Sequence, residues 1–289
     1  MNTGRVTTEV LHYRAFTHDG AGGNPAGVVL DAGGLSDAHM LTIAQELGYS
    51  ETAFVVSGTD SIPDAHVRYF SPVAEVPFCG HATIATAVAI AERHGTGDLS
   101  LRTQAGQIAV RTRREDGGVS ATLTSPPTST RRAEPEVLAE AIAALRLTPE
   151  DLDPRHPAHV AFAGNHHLVL GLGSREGLAR LDYDYAALSA LMARESWTTV
   201  HLFWAETATT FHARNAFPPG GVVEDPATGA AAAAFGGYLR ELDLVPVPGR
   251  FTIIQGVDMG VPCQLVVELE EHTDTVRVTG RAARVDGRS

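Results

Sequence analysis

Lysine is absent from this chain, and all 22 basic residues are arginine. No pyridoxal phosphate Schiff base, lysine nucleophile or P-loop lysine can therefore form. Cysteine is scarce: the two residues, Cys79 and Cys263, lie far apart. That spacing excludes a disulfide framework and fits a reducing compartment. Positive charge is also in deficit, with a net charge of −12. A nucleic-acid partner is not expected, because phosphate binding needs a basic face. No run reaches about 18 apolar residues, and Met1–His12 is polar with no apolar core of a leader. Neither a membrane association nor secretion is expected, and the cytoplasm is the expected location. The 44% hydrophobic and 19% charged content describes an ordinary globular protein. A chain of 289 residues can hold two domains, each with its own core.

What the chain does contain is a repeat. Glu75-Val76-Pro77-Phe78-Cys79-Gly80 and Glu224-Asp225-Pro226-Ala227-Thr228-Gly229 share the pattern E-x-P-x-x-G. Each is followed by an alanine-rich stretch, 81–91 and 230–239, and each is preceded by an Arg, a Phe and a Pro (Arg68, Phe70, Pro72; Arg214, Phe217, Pro219). A duplicated strand–loop–helix unit accounts for this. Two glycine-marked helix starts facing each other would aim free backbone N–H groups at a common point, which suits a small carboxylate or oxyanion.

The first half reads as short strands at 9–15, 26–30, 52–56, 65–70, 99–103 and 108–112, with a helix at 36–47 opened by Ser36 as N-cap. The helix 81–94 is apolar nearly all round and is expected to be buried on most sides. Residues 125–132, rich in Pro, Ser and Thr, form the expected linker. Beyond it, helices are expected at 136–145, 175–194 and 228–242, and strands at 165–172, 200–205 and within the tail 261–285. The fold class is α+β with two similar domains, 1–127 and 128–289, the C-terminal strand being able to pack back on the first.

The copies differ chemically. Glu51, at the mouth of a strand, is either an exposed side chain or a carboxyl losing hydration against an apolar segment. In the second case it can both give and take a proton. Asp225 replaces Val76 and can cap the following helix, serve the reaction, or do both. His81 replaces Ala230, as a core or capping group or as a functional one. Cys79 stands where Thr228 stands, and a thiol at a helix start is a candidate base or nucleophile. Threonine is too weak a base to partner it, so a symmetric two-thiol mechanism is not expected. The loop Asp19–Gly27 fails the dinucleotide pattern at Pro25 and is either a turn or a donor site at Gly23 and Asn24. Thirteen histidines show no close ligand spacing, and no metal is expected. His166 and His167 should point to opposite faces of a strand. His156 and His159 fall in a Pro-containing loop. Residues near His166, His167 and His212 are the expected far wall of the pocket.

Gly23-Asn24-Pro25, Ser50-Glu51-Thr52-Ala53-Phe54-Val55, Arg68-Tyr69-Phe70-Ser71-Pro72, Cys79-Gly80-His81-Ala82-Thr83 and the second E-x-P-x-x-G occur in order over most of the chain. Together they resemble the PhzF-like isomerases, named for phenazine biosynthesis and related in fold to diaminopimelate epimerase. The resemblance implies two pseudo-symmetric domains, each a curled, mostly antiparallel sheet around a central helix, with the active site between them. It also implies no cofactor, a homodimer and a small-molecule substrate. Glu51 would be the proton shuttle, with His81 and Asp225 as catalytic partners. Gly80 and Gly229 would offer backbone donors to a carboxylate, and Gly23, Asn24, Cys79 and Thr228 would line the substrate. The thiol at Cys79 departs from PhzF proper and matches a catalytic thiol of diaminopimelate epimerase. The expected activity is a cofactor-independent isomerase moving a proton within a carboxylate-bearing, amino-acid-like metabolite. The alternatives are a single-thiol epimerase using Cys79 and a non-catalytic carboxylate-binding protein.

Overall fold

The computed structural model describes residues 8–58 and 64–285. Most of Met1–His12, read above as free of a leader, thus lies outside the described residues. The chain divides into two compact units, Met1–Leu123 with Gly280–Ser289, and Thr124–Thr279. Both mix helix and strand, so the class is α+β.

In the first unit, β1 (Leu11–Ala15) pairs antiparallel with β2 (Asn24–Val29), and helix α1 (Asp37–Leu47) follows. β3 (Thr52–Ser57) runs parallel to β2, and β4 (Asp64–Phe70) antiparallel to β3. The two-residue β5 (Glu75–Val76) leads into α2 (Gly80–His94). β6 (Asp98–Thr103) returns parallel to β4, followed antiparallel by β7 (Gly106–Glu115) and β8 (Gly118–Thr124). Helix α1 begins where expected: the Ser36 hydroxyl accepts the His39 N–H, and Gly48 at φ 65° ends it. In α2 every residue from His81 to Ala91 is buried, as an all-round apolar helix requires.

The second unit repeats the order. After β9 (Ser129–Arg132) and α3 (Pro135–Ala144) come β10 (His159–Phe162) and β11 (His166–Gly171), an antiparallel pair. Helices α4 (Arg175–Ala179) and α5 (Tyr185–Glu195) stand where α1 stands in the first unit. β12 (Trp197–Ala205) is parallel to β11 and β13 (Thr210–Ala216) antiparallel to β12. β14 (Glu224–Asp225) leads into α6 (Gly229–Glu241), and β15 (Gly249–Gln255) returns parallel to β13. β16 (Cys263–Leu269) and β17 (Arg277–Arg284) follow antiparallel.

The last strand changes unit along its length. Its first residues, Arg277–Thr279, pair with β16, and its last, Ala282–Arg284, pair with β1. Since β17 also pairs with β8, the first unit's sheet closes into a ring, β1-β2-β3-β4-β6-β7-β8-β17, around α2. Ring closure leaves no edge strand to be covered. In the second unit α6 is packed equally tightly, and its small residues make that possible. A Cβ on Gly236 would sit 2.9 Å from Val276 Cγ1, and one on Gly237 would sit 2.5 Å from Thr128 Oγ1. Phe203, Phe211, Tyr238 and Phe251 surround Phe235 of α6 with ring centroids 4.5–5.8 Å away.

Three expectations need correction. Residues 129–132 of the supposed linker form β9, because their backbone completes a ladder with β10, from Ser129 opposite Phe162 to Arg132 opposite His159. His159 is accordingly the first residue of a strand and buried, not part of a loop. The helical region 175–194 is two helices, the second capped by Asp184, whose carboxylate accepts the Ala187 N–H. Strands β8, β10 and β15 were not anticipated.

Candidate active site

Glu51 is delivered by the turn between α1 and β3. Gly48 in the left-handed region stops the helix, and the chain enters the sheet within four residues. The Gly27 N–H donates to the Glu51 carbonyl at 3.4 Å. A Cβ on Gly27 would lie 2.6 Å from Leu47 Cδ1 and 2.9 Å from Thr52 Oγ1, so glycine permits the close approach that holds this backbone.

Cys79 and His81 are delivered by the loop from β5 into α2. Arg68 grips Glu75 through two parallel bonds, Nε to Oε1 at 2.7 Å and Nη2 to Oε2 at 2.6 Å, which ties the start of that loop to β4. Cys79 occupies the N-cap position in extended backbone but makes no side-chain capping hydrogen bond to the backbone of the first turn. Its Sγ instead lies 3.5 Å from Glu51 Oε2 and 3.3 Å from His81 Nδ1. His81 Nε2 is 3.5 Å from the same Glu51 oxygen and 3.3 Å from Ser50 Oγ. Cys79 and His81 are buried, while the Glu51 side chain keeps 18% of its surface. A carboxylate, a thiol and an imidazole therefore share one proton network. Beside them are helix N–H groups that the cap residue leaves without a side-chain acceptor.

The second unit shows the counterpart. Arg214 grips Glu224 at 3.0 and 2.6 Å, and its Nη1 reaches the Ala179 carbonyl at 2.8 Å. The cap position of α6 belongs to Thr228, not to Asp225, which corrects the capping reading of Asp225. Thr228 does not cap either: its hydroxyl donates to Asp225 Oδ2 at 2.6 Å. Gln255 completes the arrangement, its Nε2 donating to the Asp225 carbonyl at 2.7 Å and to Thr228 Oγ1 at 3.1 Å. Gly229 is the first residue of the helix that follows.

Glu51, Cys79 and His81 are thus brought together within the first unit, and Asp225, Thr228 and Gly229 within the second. Gly23 and Asn24 lie at the entry to β2. A Cβ on Gly23, at φ 88°, would sit 2.9 Å from Arg14 Cβ, so a turn demands this glycine, and Asn24 is buried. His166 and His167 do face opposite ways, one exposed and one buried. His167 is fully buried, so it cannot form a pocket wall. It belongs to an internal chain in which His167 Nδ1 lies 2.8 Å from Thr199 Oγ1 and Thr199 donates to Asn215 Oδ1 at 2.8 Å. Asn215 Nδ2 in turn donates to His201 Nδ1 at 3.1 Å. Burial pushes the His167 imidazole down to about 3 and that of His201 down to about 4. Sequence reasoning missed Ser50 and Gln255. The signal for Gln255 was an amide ending an alternating strand, Phe251-Thr252-Ile253-Ile254-Gln255, on the face its apolar neighbours bury.

This duplicated architecture is shared with solved PhzF-family proteins and, in fold, with a racemase. A probable proline racemase from Agrobacterium radiobacter K84 superposes with a TM-score of 0.66 at 13% identity, covering 97% of this chain and 92% of that one, a likeness of fold alone. A phenazine biosynthesis protein of the PhzF family from Bacillus anthracis superposes with a TM-score of 0.84 at 25% identity, covering 96% of each chain. An uncharacterised isomerase of Mesorhizobium japonicum is 33% identical over 98% of both chains. The trans-2,3-dihydro-3-hydroxyanthranilate isomerase of Pseudomonas aeruginosa is 33% identical over 95% of this chain and 96% of its own. A sequence profile described as phenazine biosynthesis-like protein matches residues 13–287. The chain belongs to this PhzC-PhzF family and is an isomerase of it. Among the described residues, no helix is long and apolar enough to cross a membrane.

Proposed function

We propose that Glu51 carries a proton between two carbons of a small, carboxylate-bearing, amino-acid-like substrate, without a cofactor. The observation that carries this reading is the Glu51 carboxylate, partly exposed, 3.5 Å from both Cys79 Sγ and His81 Nε2 beside the start of α2. A single carboxyl that removes a proton from one carbon and returns it to another needs no second base. Cys79 and His81 hold the carboxyl in place through their hydrogen bonds. The N–H groups that open α2, beginning at Gly80, receive the substrate carboxylate, since helix starts favour anions. Asp225, with Thr228 and Gly229, is assigned to substrate binding, the Thr228 hydroxyl and Gln255 fixing its orientation; Gly23 and Asn24 are assigned a lining role. The relative that acts on trans-2,3-dihydro-3-hydroxyanthranilate makes that compound the first substrate to test. A thiol not tied in a disulfide fits a reducing cytoplasm, and a homodimer is the assembly to test by light scattering.

The test is proton NMR in deuterated buffer, with that compound and a panel of cyclic and acyclic amino acids. Deuterium uptake or isomerisation that disappears in Glu51→Gln supports the assignment. Uptake that survives in Glu51→Gln but disappears in Cys79→Ala assigns the chemistry to the thiol.

A further inference from the structure

We propose that Glu51, Cys79 and His81 also form a three-ligand site for zinc or a similar borderline-soft divalent cation, which blocks the enzyme reversibly. Each offers one ligand atom, and these atoms all lie within 4.8 Å of one another. In a tetrahedral zinc site, bonds of about 2.3 Å to sulfur and about 2.0–2.1 Å to nitrogen and oxygen set ligand–ligand edges of about 3.4–3.6 Å. The observed edges are Sγ–Oε2 3.5 Å, Nε2–Oε2 3.5 Å and Sγ–Nε2 3.8 Å. Sγ also lies 3.3 Å from His81 Nδ1 and so flanks the ring; the imidazole must turn to aim Nε2 at the centre of the triangle, which then forms one face of a zinc tetrahedron. The donor set suits the ion, since sulfur, nitrogen and oxygen ligands are those zinc takes.

Charge balance favours the same ion. On binding, the Cys79 thiol gives its proton to the buffer. A thiolate and a carboxylate then neutralise the double positive charge around a neutral imidazole. Two of the three ligands are already buried, so no net charge is left in a dehydrated place. A water would take the fourth position; Ser50 Oγ lies 3.3 Å from Nε2. Sequence spacing conceals the triad because Glu51 precedes β3 while the other two open α2. The ion here is an inhibitor and not a resident cofactor, since it occupies the oxygen that would carry the proton.

The binding half of this proposal is independent of the reaction, whereas the inhibition half rests on Glu51 as proton carrier. Chelator-treated protein is titrated with cobalt(II), which reports on thiolate ligands and on coordination number through its absorption. One equivalent should produce a thiolate-to-cobalt charge-transfer band with the intense visible bands of a four-coordinate ion, and zinc should bleach both. Cys79→Ser should lose the charge-transfer band. Glu51→Gln should weaken zinc binding by more than the about 10–100-fold that loss of an outer-shell group costs. Zinc should stop deuterium uptake and a chelator restore it. Absence of the band in folded protein, or its persistence in Cys79→Ser, overturns the site and leaves the proton-transfer reading intact. Undiminished uptake with zinc bound overturns the inhibition.

Discussion

Arg214 and Glu224 meet as a planar fork on a carboxylate, with Nε–Oε1 at 3.0 Å and Nη2–Oε2 at 2.6 Å. Arg68 and Glu75 repeat the same pair in the other unit at 2.7 and 2.6 Å. The repeated arginine and the first glutamate of E-x-P-x-x-G are therefore one device. It ties the loop that opens each central helix to the strand before it. The second pair is the more buried, with side chains 11% and 4% exposed. Removing one partner strands the other's charge, a loss of about 3–5 kcal/mol for a buried pair. Glu224→Ala should lower unfolding stability by that order and Glu75→Ala by less, read from denaturant midpoints. Equal effects of both substitutions would contradict this account.

Gln255 is the second brace of the Asp225 loop. Gln255→Ala leaves the Asp225 carbonyl and the Thr228 hydroxyl without that amide, in a place where the side chain is fully enclosed. The expected cost is about 1–3 kcal/mol of stability. With the loop assigned to substrate binding, substrate KM should rise more than kcat falls. A fall in kcat alone would place Gln255 in the chemistry.

Acid should destabilise the protein through His167 and His201. Burial lowers both imidazoles in the folded state, to about 3 and about 4, against about 6.5 when unfolded. The unfolded chain thus takes up two protons that the folded chain refuses. Stability from the pair is whole above about pH 6.5 and is lost as the pH falls toward 4. With two protons, the slope reaches about 2.7 kcal/mol per pH unit. Unfolding measured between pH 7 and 5 should show proton uptake that falls in His201→Gln. An unchanged slope in that variant would count against the buried pair.

Gly27→Ala tests how tightly the Glu51 backbone is held. The added methyl meets Leu47 and Thr52 at under 3 Å, and such overpacking costs about 1–3 kcal/mol. Activity should fall by more than the unfolded fraction explains, since the displaced strand β3 begins at the residue after Glu51. Full specific activity in the folded variant would mean that the strand relaxes without moving the carboxyl.

Much of this was legible in the chain itself. The repeated motif located both central helices, and the all-round apolar character of 81–94 announced a helix enclosed by sheet. Glu51, Cys79 and His81 were each singled out by residue type and position. That they share one network was not legible, because 28 positions separate Glu51 from Cys79 and the pairings of β3 with β4 and of β4 with β5 join them. Strand β9 was hidden by its polar composition, for its stability comes from the ladder with β10. Gln255 was hidden because its partners are backbone groups and a hydroxyl on another element. The split of β17 between two units depends on long-range pairing that local pattern does not encode.

The most direct test is deuterium incorporation followed by proton NMR with wild-type protein and Glu51→Gln, beginning with trans-2,3-dihydro-3-hydroxyanthranilate. The account predicts solvent exchange or isomerisation by the wild type. In a folded Glu51→Gln it predicts a loss of at least the about 10²–10⁴-fold that general acid–base catalysis supplies. Undiminished turnover in Glu51→Gln would contradict it.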